Sequence, residues 1–394
     1  MPNLLRPSRI FVLMLLFSFS SMSAVIFTPA YPQLVREFHL SESSAQWMMT
    51  LFLLGTAFGR LPYGPLANRF GRKKALFAGL WLSLIGTVFT LFAPSYAILC
   101  IGRLIQALGS SAALKITYTM VGDRHSEETA TKVLSYSSLA YAILPGIGTA
   151  ISGFLTASYG WRGGFGCLFV FTLFLLAACA SLPETLVRKD ETALQFKKMA
   201  AGYGKQFRNP LLWAWSLLMG LSTAILFMFS QQAPFVAIEI MGLRPDQYGL
   251  FYLIPAFGIA FGTFLTAWMS GKISANKAML LGILILVIGT GSMIGFFSAN
   301  WYTGWTLFLP QVVVQIGDAV LYTNASSKAI SEAKDKSNAS AVMLFINSCC
   351  GVVGTYLIGV YAPLNAISLP LSFIPIIFLM LLIWLGLRPH CKNR

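Results

Sequence analysis

Apolar and polar positions alternate along this chain on a coarse scale. Long stretches rich in Leu, Phe, Ala and Gly are cut by short polar turns. Such stretches cover residues 9–31, 44–66, 74–93, 96–120, 132–156, 163–182, 210–237, 246–270, 277–297, 301–324, 338–361 and 368–387. A bilayer core takes about 20 helical residues to cross, so the pattern predicts twelve spanning helices. The connections are short except at 183–209, which holds nearly all the contiguous polarity and divides the spans six and six.

Composition agrees with that reading. Of the 394 residues, 56% are hydrophobic and 10% charged, and the mean hydropathy is +0.71. Soluble domains are about 25% charged, so this chain cannot clothe a water-facing surface. A net charge of +15 would point to nucleic acid in a soluble protein, but its distribution excludes that partner. With the N-terminus placed inside, the inside segments hold 22 Lys and Arg, and the outside loops hold Arg36, Arg162 and Arg244. This asymmetry supports an even number of spans with both termini inside, the cations facing anionic headgroups. The rival is a signal peptide built from Arg6, Arg9, the apolar run and "SMSA" (21–24). Its cleavage would leave eleven spans and put the charge on the wrong side. Six cysteines show no CxxC spacing and five lie in apolar stretches, so neither a disulfide framework nor a metal site is expected.

The densest basic turn is "GPLANRFGRKKA" (64–75), inside, between spans two and three. Gly64 and Gly71 permit its tight backbone, and Arg69, Arg72, Lys73 and Lys74 anchor it at the headgroups. Its spacing, with Asn68 at the acid position, resembles the G-x-L-[AS]-D-R-x-G-R-[KR] signature of the major facilitator superfamily, which also lies between helices two and three. "RLIQALG" (103–109) resembles that family's R-x-x-Q-G-x-G on helix four. "LPET" (182–185), "FTPAYPQL" (27–34) and "APFVAIEIMG" (233–242) resemble segments of its drug:proton antiporter branch, of the Bcr/CflA-like multidrug resistance type. The resemblance covers the whole chain. It implies an all-α integral membrane fold of twelve transmembrane helices, arranged as two pseudo-symmetric six-helix bundles around a central cavity. The boundaries that follow are an N-terminal bundle at 1–183, a cytoplasmic linker at 184–209 and a C-terminal bundle at 210–394. Helices one, four, seven and ten line the cavity in that family, and the halves rock about a mid-membrane site. "SGKISANK" (270–277) is a faint second-half echo of the opening turn.

Polar stripes inside spans locate the wet path, because a lipid-facing surface has no use for them. In span ten, Gln311, Gln315, Asp318 and Tyr322 share one helical face. Helix–helix hydrogen bonding is the alternative use of such glutamines, but the stripe includes a carboxylate. In span four, Arg103, Gln106, Ser110 and Thr117 share a face, and the resemblance turns Arg103 to the interior. Lys115 and Arg60 lie near the inner ends of their helices, where snorkelling to the headgroups competes with a functional role. Gln231 and Gln232 are the polar pair of span seven. Asp318 is the one acid clearly inside a span; Asp123 and Glu239 sit at membrane edges. A carboxylate in such a setting can carry a proton, and Asp318 and Lys115 lie at similar depth on pseudo-equivalent helices. They are expected to form or bracket the inner gate.

Three departures from the branch bear on function. The carboxylate usual midway along helix one is replaced by Val25, on the stripe Ser18, Ser21, Val25, Thr28. The loop acid is Asn68. The helix-five motif keeps Pro145, Gly146, Gly148 and Gly153 but has Thr149 where a second Pro is common. The expected function is proton-coupled export of small organic molecules or drugs by alternating access, by a monomer in the bacterial cytoplasmic (inner) membrane. Arg60, Arg103 and Lys115 against a single Asp favour an alternative, a transporter or importer of an anionic metabolite or siderophore. A solute receptor would need a signalling domain, and none is seen. No ATP-binding loop of the G-x-x-x-x-G-K-[ST] type and no H-E-x-x-H occurs, and the three His lie outside the spans. An enzyme, an ATP-driven pump and a cofactor are therefore not expected.

Overall fold

Glycine, proline and short polar caps punctuate the helices. In the computed structural model, residues 7–124, 127–186, 188–331, 333, 335–361 and 365–387 are described. Arg6 lies outside the described residues, as do His125, Lys334, Arg388, His390, Cys391, Lys392 and Arg394 among the cations, histidines and cysteines counted above. The first half comprises α1 (Pro7–Val25), α2 (Tyr31–Glu37), α3 (Glu42–Phe70), α4 (Arg72–Leu91), α5 (Tyr96–Arg124), α6 (Glu127–Tyr159) and α7 (Arg162–Cys179). A connecting helix, α8 (Phe196–Phe207), follows. The second half comprises α9 (Pro210–Pro234), α10 (Pro245–Phe251), α11 (Leu253–Met269), α12 (Ala275–Ser298), α13 (Gly304–Ser331), α14 (Lys336–Tyr361) and α15 (Ser368–Leu387).

These elements make twelve crossings in two groups of six. A 3₁₀ turn, Thr28–Ala30, joins α1 and α2 into the first crossing, and a π-helical segment, Phe235–Ile240, prolongs α9 into the seventh. Together α10 and α11 form the eighth. Eleven crossings among the described residues are long and apolar enough to traverse a bilayer. The remaining one, α3, has the length but carries Gln46, Thr50, Thr56, Arg60, Asn68 and Arg69, and it packs between α5 and α14. It starts at Ser41, whose hydroxyl accepts from Ser44 N at 3.1 Å. It stops at Gly71, held at φ +108°. Most helices overrun the apolar stretches that predicted them, since backbone hydrogen bonding continues into the headgroup zone. The connection between the halves is partly helical, through α8. Through α8 it touches both halves: Tyr203 donates to the Leu61 carbonyl of α3 at 3.1 Å, and Phe207 packs edge-on to Phe345 of α14.

Each half contains the same glycine seam. Where α4 meets α5, a Cβ at Gly86 would strike Gln106 N and the Gly102 carbonyl, and one at Gly79 the Gly109 carbonyl. Where α12 meets α13, a Cβ at Gly289 would strike Val314 N and the Pro310 carbonyl, and one at Gly282 the Gly317 carbonyl. The partners correspond one for one at constant offset, so crossings three and four repeat as nine and ten. Small residues let the backbones approach, which is how helices associate when lipid offers no hydrophobic drive.

The halves meet along α3–α14 and along α6 with α10 and α11. The end of the molecule that carries the 64–75 turn is its basic face. At the opposite face the first and seventh crossings also touch. There Arg36 pairs with Glu239 at 2.8 Å, the Tyr31 and Phe235 rings lie 5.5 Å apart, and Tyr248 donates to Thr28 at 3.3 Å. By contrast, α5 and α13, the fourth and tenth crossings, make no extended contact. The bundle is thus shut at the opposite face.

Candidate functional site

The first crossing breaks on the prolines of "FTPAYP". An ended helix leaves its last carbonyls without partners, and Arg103 of α5 serves those of α1. Nη1 donates to Ser23 O at 2.9 Å and Nη2 to Ala24 O at 3.2 Å. Nη1 also reaches Gln106 Oε1. The Phe27 and Phe52 rings lie 4.0 and 4.2 Å from the guanidinium carbon, at cation–π distance. Gln106 passes the connection to Thr87 of α4 at 2.8 Å, and Ser110 bonds to its own helix at Ala107 O. Arg103, Gln106 and Ser110 are all fully buried. They were expected on the cavity wall; in this state the broken backbone of α1 claims Arg103 instead.

The stripe on α13 is different. Gln311, Gln315 and Asp318 are 0, 1 and 6% exposed. Both amide atoms of Gln311, Nε2 of Gln315 and Oδ1 of Asp318 find no partner among the described residues. Ser222 of α9 faces the Asp318 carboxyl. Further along α9, Gln232 is likewise unmatched, whereas Gln231 donates to Gln46 of α3 at 2.5 Å and to Thr355 O of α14 at 3.0 Å. An unpaired buried polar group costs about 1–3 kcal/mol, so this file of groups requires polar company that the helices do not supply.

Between the halves at this level lies a cavity of about 50 Å³. Ser21, Val25 and Tyr141 form its first-half wall, and Phe227, Tyr252 and Gln315 its second-half wall. Val25, at the missing-acid position, therefore contributes a methyl surface to this wall. Such a space holds a few waters. Drug-sized ligands occupy about 300–1,000 Å³, so a solute of that size enters only when the halves part.

Lys115 is not ion-paired with Asp318 in this state. Its stem lies against α3, where a Cβ at Gly64 would be 3.7 Å from Lys115 Cε. Arg60, read as snorkelling or functional, crosses between the halves: Nη1 donates to Leu344 O at 3.1 Å and Ser348 Oγ at 2.6 Å on α14.

At the basic face, Arg72 turns inward and pairs with Asp123 of α5 at 2.9 Å. It also reaches Asn68 Oδ1; a neutral acceptor suffices there, because Asp123 meets the charge. Glu184 caps α4, accepting from Arg72 N at 3.0 Å and Lys73 N at 3.1 Å. Arg69 reaches the Glu191 carbonyl, and Lys73 Nζ donates to Ala180 O at 2.7 Å. The helix-five motif serves close approach. A Cβ at Gly148 would meet Met22 of α1 at 2.7 Å, and one at Gly153 would meet Pro245 O at 2.5 Å in the other half. Pro145 lines the cavity, and Thr149 bonds back to its carbonyl at 2.9 Å.

Sequence reasoning missed Tyr141, Tyr252 and Gln46. The first two each stand three or four residues before a proline, at Pro145 and Pro255, a signal that marks irregular helix beside a cavity. Nothing local marks Gln46 as the partner of a residue 185 positions away.

Two helical halves around a buried polar path, shut at one end, define a membrane-embedded transporter of small molecules rather than an enzyme. The chain belongs to the Major Facilitator Superfamily, whose family model matches residues 13–357. It is 29% identical over 287 residues to an uncharacterised transporter of Rickettsia bellii, covering 71% of this chain and 69% of that one. It is 23% identical over 264 residues to a bicyclomycin resistance protein homologue of Haemophilus influenzae, covering 66% of each. Among solved structures, a D-xylose-proton symporter superposes with a TM-score of 0.76 at 17% identity, over 96% of this chain and 97% of that one. That last likeness concerns the fold.

Proposed function

We propose that this protein exports small organic molecules or drugs by exchange against protons. It works as a monomer in a bacterial cytoplasmic membrane, with its basic face and both termini on the cytoplasmic side. The segments 1–183 and 210–394 act as the two rocking bodies, tied by 184–209. Asp318 carries the reading: a buried carboxylate with an unmatched oxygen, flanked by unmatched Gln311 and Gln315 on the same face of α13. Such a group takes up or gives off a proton according to which side reaches it. Alternating exposure then ties proton movement to solute movement. Gln311, Gln315, Gln231 and Gln232 offer the solute amide partners, the aromatic wall at Phe227 and Tyr252 takes its apolar part, and Lys115 gates the cytoplasmic side. The drug-resistance relative supports export.

The second reading, transport of an anionic metabolite or siderophore, is favoured by one observation. Arg60, Arg103 and Lys115 outnumber the single interior acid, and Val25 removes the acid of crossing one. The test is transport in proteoliposomes under an imposed pH gradient, comparing a lipophilic cation with a polycarboxylate. Cation movement supports the first reading. Movement of the polycarboxylate alone replaces it with the second.

A further inference from the structure

Arg60 uses one nitrogen to hold α14. Its Nη1 makes both bonds, to Leu344 O and Ser348 Oγ. Its Nε and Nη2 bond to no other described residue, and they are not among the fully sealed polar atoms. Those two nitrogens form the side-on edge of the guanidinium. Their spacing matches the two oxygens of a carboxylate.

No acid among the described residues answers this edge. The ion pairs among the described residues are Arg36–Glu239, Arg72–Asp123, Arg162–Glu37 and Arg244–Asp246, all at or outside the membrane edges. The next charge along the path is a second cation. Lys115 shares the Arg60 neighbourhood closely enough for the charges to repel, and its ammonium is likewise neither bonded nor sealed. Tyr141 of α6 and Tyr322 of α13 stand in the same field. Tyr322 also feels Asp318, one turn away on α13. Two unpaired cations at membrane depth repel one another and carry a desolvation cost that pairing ordinarily offsets. An anion placed between them removes both penalties. Tyr141 also lines the cavity whose far wall holds Phe227 and Tyr252, which gives the apolar body of a ligand an aromatic surface near the charge.

We infer that Arg60 and Lys115 form an anion subsite that receives the carboxylate of an amphipathic organic substrate, Arg60 by its Nε/Nη2 edge and Lys115 as a point charge. This deepens the transport reading above and rests on it for the site's role. Snorkelling does not describe Arg60, whose Nη1 is fixed on α14 rather than on headgroups.

The test uses the purified full-length protein in detergent and two probes: hippurate, an aromatic carboxylate, and its neutral methyl ester. Binding is followed by tryptophan fluorescence. The wild type is expected to bind hippurate about tenfold tighter than the ester, the scale of one charge-assisted pair. Arg60→Gln removes that preference. Arg60→Lys keeps a part of it, because charge survives and the fork does not. If Arg60→Gln fails to fold, Lys115→Gln carries the test and lowers the preference several-fold. Equal binding of acid and ester by the wild type, or an unchanged preference in either glutamine variant that folds, overturns the subsite. The pH-gradient assay of a lipophilic cation is scored separately. Its failure strikes the export reading, and the hippurate preference strikes or supports the subsite alone.

Discussion

Gln231 of the second half donates to Gln46 of the first at 2.5 Å, fully buried, across the seam that closes the face opposite the basic turn. The Arg36–Glu239 pair lies further out at the same face, with side chains 65 and 41% exposed. An exposed pair is worth at most about 1 kcal/mol, so the buried amides and the Tyr31–Phe235 contact hold the closure.

Gln231→Leu strands Gln46 Oε1 in the seam, at about 1–3 kcal/mol. The population shifts toward the state open at that face. A cysteine placed at Thr28 is then expected to react faster with a membrane-impermeant maleimide applied from that side. An unchanged rate means the amide pair does not hold the closure.

Asp318→Asn keeps the shape and the hydrogen-bonding capacity of the α13 stripe but cannot cycle a proton. Accumulation driven by a pH gradient is expected to fall to background in proteoliposomes, while solute binding to the purified variant stays measurable. Normal accumulation would refute the coupling role of Asp318.

Arg103→Lys loses the fork that serves two carbonyls of α1, and Arg103→Met also loses the charge over Phe27 and Phe52. A destabilisation of about 2 kcal/mol is expected for lysine, and more for methionine. Thermal unfolding in detergent reads this order. Equal melting of all three forms would show that Arg103 does not brace the α1 break.

Gly71→Ala forces a side chain into φ +108° and sets its Cβ 2.5 Å from Glu184 Oε2. The expected cost is about 1–3 kcal/mol, read as a lowered melting temperature. Combining it with Glu184→Ala relieves the collision but not the backbone, so only part of the loss returns.

Much of the architecture was legible because lipid imposes a simple demand. Each crossing must be long, apolar and helical, and the segments at 9–31, 74–93 and 368–387 announce themselves on that ground alone. The α13 stripe was legible too, since Gln311, Gln315 and Asp318 lie on one helix and periodicity reveals a shared face. What remained hidden depends on pairing between distant segments. Arg103 has the same spacing whether it faces a cavity or caps α1; only the position of the break at Val25 decides. Gln46, Arg60 and Tyr141 acquire their roles from α9, α14 and the cavity, none of which is near them in the chain. The matched glycines were visible as seven-residue spacings in both halves, at Gly79 and Gly86 and again at Gly282 and Gly289. They become informative once their partners are known.

Those seams have a mechanical consequence. Backbone packed directly on backbone leaves no side-chain bearing on which α4 could slide past α5, or α12 past α13. Each couple behaves as a riveted plate, and shear is barred within it. Whatever travel the cycle demands has to be taken up where side chains interdigitate instead, along α3 against α14 and along α6 against α11.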